Sequence, residues 1–353
     1  MKVNLVLRRF KIPVLMVLSA MVATIVCQYR GDVWEEHVRN GMYALVGDSV
    51  PNYAKEWVDD KGIPYVYYAL QNGIEPGKQY NPTIVANFAL DYFARIQDNP
   101  QGDDRAKFYN CIQWLADSMT HYDNYALYRF YWRQPWYDSV GAPYTSGMTS
   151  ARAIEAFASA YRLDRNEAHL TNALQLMRGF YLPIEQGGFT YNWPEGWWYE
   201  EIADTNRHTP RILDGHIFCI TGLHTLRQVI KNDSINTLIN LGLAALKSKL
   251  PAYNMANGKP SYDAYQKPAD KKYHRLLVSQ MHQLWQFTAD NTYEYYYDTW
   301  RAPLQQPYVW RMLTEGNRSG ILLWFLLFVM CTMIFWLASA AAAKPGWGWQ
   351  ATT

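Results

Sequence analysis

Three observations predict an all-α-dominated fold for this 353-residue chain. Apolar residues recur at helical spacing from about residue 80 to about residue 300. No alternating strand–helix–strand pattern interrupts them, and an uncharged apolar run stands near each end. The architecture expected is an α/α toroid (an incomplete α/α barrel) of about eight helices with a few short strands, flanked by N- and C-terminal membrane helices.

At the N-terminus, Lys2, Arg8, Arg9 and Lys11 precede the uncharged run Ile12 to Tyr29, the pattern of a signal peptide or signal anchor. Ile25-Val26-Cys27 is bulky where a cleavage site wants small side chains, which favours an uncleaved anchor over residues 1–30. Near the other end, Gly320 to Ala343 is uncharged and rich in Leu, Phe, Trp, Met and Ala. That length suffices for a hydrocarbon core of about 30 Å. The domains expected are therefore a toroid over 31–318, a second span over 319–345 and a tail over 346–353. The basic N-terminus belongs in the cytoplasm, so the toroid is expected on the extracytoplasmic side, with Lys344 and the Trp347/Trp349 tail returning. The sequons Asn232-Asp233-Ser234 and Asn317-Arg318-Ser319 are compatible with a lumenal domain.

Each helix shows an apolar face. Ile84, Phe88, Tyr92 and Ile96 share one, Phe108, Ile112, Leu115 and Met119 the next, then Met148, Ile154, Phe157 and Tyr161. Asp164 and Glu167 read as a capping box ahead of Leu170, Leu174 and Met177. Residues 216–230 are apolar almost all round, as a buried inner helix should be, with Leu238, Leu241 and Ala245 as its partner. Leu277, Met281 and Leu284, then Tyr293 to Trp300, form the last pair. Short strands are expected near Ile63–Tyr68 and Gly188–Asn192.

A formal charge of only +2, with no basic tail, gives no sign of a nucleic-acid partner. Cys111 and Cys219 fall on apolar helix sides and Cys27 and Cys331 in the apolar runs, so all four are expected as buried thiols. The 28 Tyr and 15 Trp are mostly core, yet such a surplus also suits a protein that handles sugar rings. No HExxH, paired CxxC, G-x-S-x-G or Gly-rich phosphate loop occurs. His216 and His224, like His274 and His282, stand two helical turns apart, which is not ligand spacing, so no metal is expected. What remains is tyrosines, glutamates and basic groups. Such a set suits removal of a proton beside a carboxylate, as at C5 of a uronic acid. Return of the proton on the other face epimerises the sugar, whereas loss of the O4 substituent cuts the chain. Residue types alone leave both open.

The stretch Trp197-Trp198-Tyr199-Glu200-Glu201, followed by Ile212-Leu213-Asp214-Gly215-His216, carries this chemistry most densely. Tyr80-Asn81-Pro82, Met148 with Arg152-Ala153-Ile154, Gly222-Leu223, Tyr262-Asp263 and Tyr273-His274-Arg275-Leu276 stand around it. In this order and spacing, from about Gln79 to Leu284, the chain resembles the C-terminal α-helical domain of the D-glucuronyl C5-epimerases. The resemblance implies Glu201 as the catalytic glutamate and Tyr262 and Tyr273 as catalytic tyrosines, exchanging the C5 proton across the sugar without a cofactor. Tyr80, Asn81, Arg152, Trp198, Tyr199, Arg211, Asp214, His274 and Arg275 are expected at the substrate, with Arg207 as a further cation and Trp193 and Trp197 for stacking. As a base, Tyr273 would need its pKa of about 10 lowered, or its proton passed on, with Lys271, Lys272, His274 and Arg275 close by in sequence to help. The chain departs from animal members at Ile202, where they carry a tyrosine, and at Asp214, where asparagine is common. Thr149-Ser150-Ala151-Arg152 replaces a Gln-rich patch, and the stretch between the first apolar run and Tyr80 is expected to be too short for their β-rich N-terminal region. The partners expected are an acidic polysaccharide or glycan containing uronic acid, the membrane through both termini, and, as an open option, a second copy of the chain. A lyase on the same toroid and a non-catalytic glycan-binding or scaffold protein are the alternatives.

Overall fold

In the computed structural model, residues 2–46, 55–100, 102–205 and 208–341 are described. Arg207 and the Lys344, Trp347 and Trp349 tail fall outside them. The chain divides into two compact units: residues 52–304, and the two ends together (1–51 with 305–353).

The end unit begins with α1 (Lys2–Val46). The larger unit opens with a three-stranded antiparallel sheet, β1 (Lys55–Val58), β2 (Pro64–Tyr68) and β3 (Gly77–Gln79). It continues through α2 (Pro82–Asp98) and α3 (Asp104–Asp117) to the short ladders β4 (Thr120–His121) with β5 (Ala126–Leu127) and β6 (Arg129–Phe130) with β7 (Tyr144–Thr145). Next come α4 (Gly147–Asp164), α5 (Glu167–Arg178), the hairpin β8 (Thr190–Trp193) with β9 (Gly196–Tyr199), α6 (Leu213–Arg227) and α7 (Asp233–Tyr253). The unit closes with α8 (Lys271–Thr288) and α9 (Asn291–Gln305).

Contacts define the architecture. α2, α4, α6 and α8 touch in succession, and α3, α5 and α7 each pack on the helix that precedes them. α9 is tied to α8 through His274 Nε2 and the Trp300 carbonyl, 2.7 Å apart. The result is an inner row of four helices backed by an outer row, the arrangement of an incomplete α/α barrel. The inner members are the more buried. α6 hides Ile217, Cys219, Ile220, Leu223 and Leu226, and α4 hides every residue from Ala153 to Ala160. Gly222 allows α6 to approach α4 closely, since a Cβ there would stand 2.6 Å from the Ala151 carbonyl oxygen.

Caps fix most helix starts. Asn81 accepts the Thr83 N–H at 2.9 Å with Pro82 opening α2, Ser146 accepts the Thr149 N–H, and Asp270 accepts those of Lys272 and Tyr273. The Asp164/Glu167 capping box does not form. Asp164 ends α4, Arg165 turns left-handed at φ 58°, and Asn166 caps α5 through the Ala168 N–H. Two of the strands fall where expected (β2 and β8). The ladders of two or three residues are too short for an alternating pattern to show in sequence.

The end unit adds α10 (Tyr308–Thr314) and α11 (Arg318–Ala341). α1 and α11 pack together around Ala23, Cys27, Leu323 and Leu327. Ile12–Met42 and Arg318–Ala340 are both long and apolar enough to cross a bilayer.

Candidate active site

Glu200 and Glu201 leave the end of β9, and their backbone is fixed on both sides. The Glu200 N–H donates to the Phe189 carbonyl, and the Glu200 carbonyl accepts the N–H of Gly147 at the start of α4. Ala203 and Thr145 then exchange two backbone bonds. The N-terminus of α6 has no side-chain cap, and its Leu213 N–H donates instead to the Tyr262 carbonyl at 3.0 Å. Glu201, Asp214 and Tyr262, remote in sequence, thereby meet, and Tyr273 on the first turn of α8 joins them. The Tyr262 and Tyr273 rings lie 4.6 Å apart.

The two glutamates differ in role. Glu200 is fully buried, accepting the Thr209 hydroxyl at 2.5 Å and the Arg211 N–H at 3.1 Å. Burial pushes its pKa up to about 8, against the smaller opposing pull of Thr209 and Arg211. Glu201 carries a buried Oε2 with no hydrogen-bond partner among the described residues. Its pKa is raised by burial first, then by the Asp214 and Glu200 carboxylates. Gly215 gives it room, because a Cβ there would sit 2.5 Å from both Glu201 Cβ and Oε2.

Glu200 makes stability depend on pH in a definite direction. Its folded pKa exceeds the unfolded value of about 4.3, so between these limits the native state holds the proton more tightly. Stability should fall as pH rises through that window. Glu200→Gln imitates the protonated acid, donating to Thr209 and still accepting from Arg211 N–H. It is expected to raise the Tm at pH 8 and flatten the slope by an amount on the order of a few kcal/mol. Thermal melts across this range check it.

The tyrosines are held as phenols. Burial raises the pKa of Tyr273, followed by Glu201 and Asp214, while a hydrogen bond with Tyr262 works the other way. Tyr262 is raised further by the same causes. This corrects the expectation that neighbouring cations lower Tyr273. Lys272 Nζ is 5.7 Å from its ring centre, and His274 is buried and turned to the Trp300 carbonyl. Arg275 is exposed.

Several residues expected at the substrate are engaged within the fold. Trp198 and Tyr199 are wholly buried: Trp198 stacks on His216 at 4.0 Å, and the Tyr199 hydroxyl donates to the Leu238 carbonyl. Neither ring can stack on a sugar. Trp193 packs beside Trp198, and Trp197 meets Tyr181 edge-on. Asn81 caps α2 and donates to the Tyr68 hydroxyl, and Tyr80 donates to Asp59. Arg152 is engaged by Asn87 and Glu155. His216 is a core histidine, neutral at pKa about 4 because of burial, with Tyr199 N–H donating to its Nδ1. Arg211 does stand by the Glu200 carboxylate, in a left-handed conformation (φ 48°), with a buried Nε–H lacking a partner among the described residues.

Residues that the sequence did not flag complete the cluster. The Tyr137 hydroxyl donates to Asp263 at 2.8 Å and feels the charge of Glu201 and Asp214. Gln280 donates to the Asp214 carbonyl at 3.1 Å. It follows Tyr273 by two turns on the same face of α8, a periodicity that could have revealed it.

Carboxylates beside paired phenols on a helical barrel are groups suited to acid–base chemistry. The family described as D-glucuronyl C5-epimerase C-terminus matches residues 121–302, and the chain belongs to it. An uncharacterized protein of Methanocaldococcus jannaschii is 26% identical over 262 residues, covering 69% of this chain and 84% of that protein. Among solved structures, a family 76 glycoside hydrolase α-mannanase of Bacteroides thetaiotaomicron aligns with TM-score 0.45 and 11% identity over 79% of this chain and 70% of that one. A cellobiose 2-epimerase of Bacillus thermoamylovorans aligns with TM-score 0.41 and 11% identity over 78% and 87%.

Proposed function

We propose that this chain is a membrane-tethered uronosyl C5-epimerase that inverts C5 of D-glucuronosyl units, giving L-iduronosyl units, in an acidic polysaccharide or glycan. The observation that carries the reading is the meeting of Glu201 with the Tyr262/Tyr273 pair. In this mechanism Glu201, as carboxylate, takes the C5 proton, and the C–H electron pair moves toward C6 to form an enolate. Tyr273, a phenol hydrogen-bonded to Tyr262, gives a proton to C5 from the opposite face. The reverse reaction exchanges these roles. The Arg211 guanidinium, next to Glu200 and with a buried Nε–H lacking a partner among the described residues, is the group we assign to the developing charge at C6. α1 and α11 hold the domain at the bilayer, on the extracytoplasmic side by the charge of the N-terminal flank.

The test is incubation of the full chain with a panel of uronate polymers in deuterated solvent. Deuterium at C5 without unsaturated chain ends is the expected result. Ultraviolet-absorbing unsaturated ends would make it a lyase, and binding with neither signal a non-catalytic glycan-binding protein. Tyr273→Phe should lower deuterium incorporation by about 10²- to 10⁴-fold, the range of a lost acid–base group. Tyr262→Phe, which removes one supporting hydrogen bond, should cost about tenfold. Equal exchange by both variants and the parent would remove the phenols from the mechanism.

A further inference from the structure

Three buried acceptor oxygens near the N-terminus of α6 have no donor among the described residues: Glu201 Oε2, Asp214 Oδ1 and Gln280 Oε1. They belong to one cluster. Glu201 packs against Gly215, the residue after Asp214, and Gln280 bonds the Asp214 carbonyl. Asp214 and Gln280 are each 3% exposed. Gln280 gives one of its two Nε2–H groups to the Asp214 carbonyl, and its amide makes no hydrogen bond to Glu201 Oε2 or Asp214 Oδ1. Two ionised carboxylates here would leave acceptors facing a site without a proton between them, a costly arrangement in a buried setting.

We propose that Asp214 is a positioning partner of Glu201, the two carboxyl groups sharing one proton at the first turn of α6. The O–H of one is then the donor that the other lacks. The backbone N–H groups of residues 214 and 215 at the helix start favour the ionised form of Asp214, which suits a state in which Glu201 holds the proton. When the proton passes to Asp214, Glu201 is left ionised and free to take a proton from carbon.

The surrounding charges agree with a pair carrying a single negative charge. The connector brings Glu200, already engaged by Thr209 and Arg211, together with the Arg211 cation. The 262–263 turn brings Tyr262 and Asp263, the latter held by Tyr137. α8 brings Tyr273 and Lys272 with its capping residue Asp270, and Tyr144 and Cys219 also sense Glu201. Burial raises Asp214 to about 7, and Lys272 draws it down more than Asp270 raises it.

The shared proton rests on the epimerase reading for its use, but not for its measurement. In the full chain with carboxyl-labelled Asp and Glu, carbon-13 NMR should show the pair titrating in two steps. The upper step should lie roughly two units or more above ordinary carboxylates. Asp214→Asn, which keeps an acceptor for the helix N–H groups, and Glu201→Gln should each abolish the two-step behaviour and move the surviving acid downward. Two independent single steps near the ordinary carboxylate range would overturn the proposal. In the C5 exchange assay, Asp214→Asn should shift the acidic limb of kcat/KM to lower pH by about one unit. A rise in KM with an unmoved limb would instead make Asp214 a substrate contact and overturn the proposal. Two-step titration in a protein that exchanges no uronate would uphold the shared proton and reject the epimerase reading.

Discussion

Glu201→Gln is expected to lower C5 deuterium incorporation by about 10²- to 10⁴-fold, the usual contribution of a positioned acid–base group. The same substitution should leave the Tm at pH 8 unchanged or higher. Glutamine keeps the shape that fits beside Gly215 and removes a carboxylate whose buried Oε2 has no partner among the described residues and which Asp214 and Glu200 repel. Stability and activity therefore move in opposite directions, as at a site where charge is held for chemistry and not for folding. A variant that folds, binds uronate and still exchanges C5 at the parent rate would show that another group moves the proton. Glu200→Gln is the informative companion. Glu200 points into hydrogen bonds with Thr209 and Arg211, so its removal should act on stability and leave the exchange chemistry in place.

The adjacency of these two glutamates shows what a linear reading can and cannot supply. The helices were legible because α2, α3, α5, α7, α8 and α9 bury one stripe, while α4 and α6 bury most of their surface. Glu201, Tyr262 and Tyr273 were legible as fragments of a pattern. Their neighbours were not. Trp198 and Tyr199 look like a sugar platform in sequence, yet β9 lies so close to α7 that both rings become core. At Gly196 (φ 146°) a Cβ would stand 2.5 Å from Ala245 N and the Leu241 carbonyl oxygen, so the hairpin rests on helix backbone. Arg152 looks like a cation for an acidic chain, but Asn87 and Glu155 on the inner row engage it. Tyr137 and Gln280 enter the site from segments distant in sequence, and only the packing of the inner row brings them there. Charge environment is likewise a property of the assembled site. The cations next to Tyr273 in sequence suggested a lowered phenol, whereas burial and two carboxylates raise it.

Gly215→Ala is expected to damage both stability and exchange, and for one reason. The added methyl would lie 2.5 Å from Glu201 Cβ, 2.5 Å from Oε2 and 3.0 Å from Cγ. Rotating the carboxylate aside relieves only the outer contacts, because Cβ is fixed by the backbone that pairs with Phe189 and Gly147. Either the 200–203 segment or the first turn of α6 must shift. Overpacking of this kind costs about 1–3 kcal/mol, more than the gain of up to about 1 kcal/mol from alanine in a helix. A displacement of about 1 Å at a reacting group can lower the rate by about 10²-fold. Gly41, where an added methyl would meet nothing within 4 Å, supplies the control: Gly41→Ala should leave exchange unaltered. Combining Gly215→Ala with Glu201→Gly removes the clashing Cβ, so much of the lost Tm should return while exchange stays absent. Recovery of stability without activity would locate the strain at Glu201 itself. A Tm as low in the double variant as in Gly215→Ala alone would place it in the helix start instead, and would separate the first turn of α6 from the carboxylate it is here taken to hold.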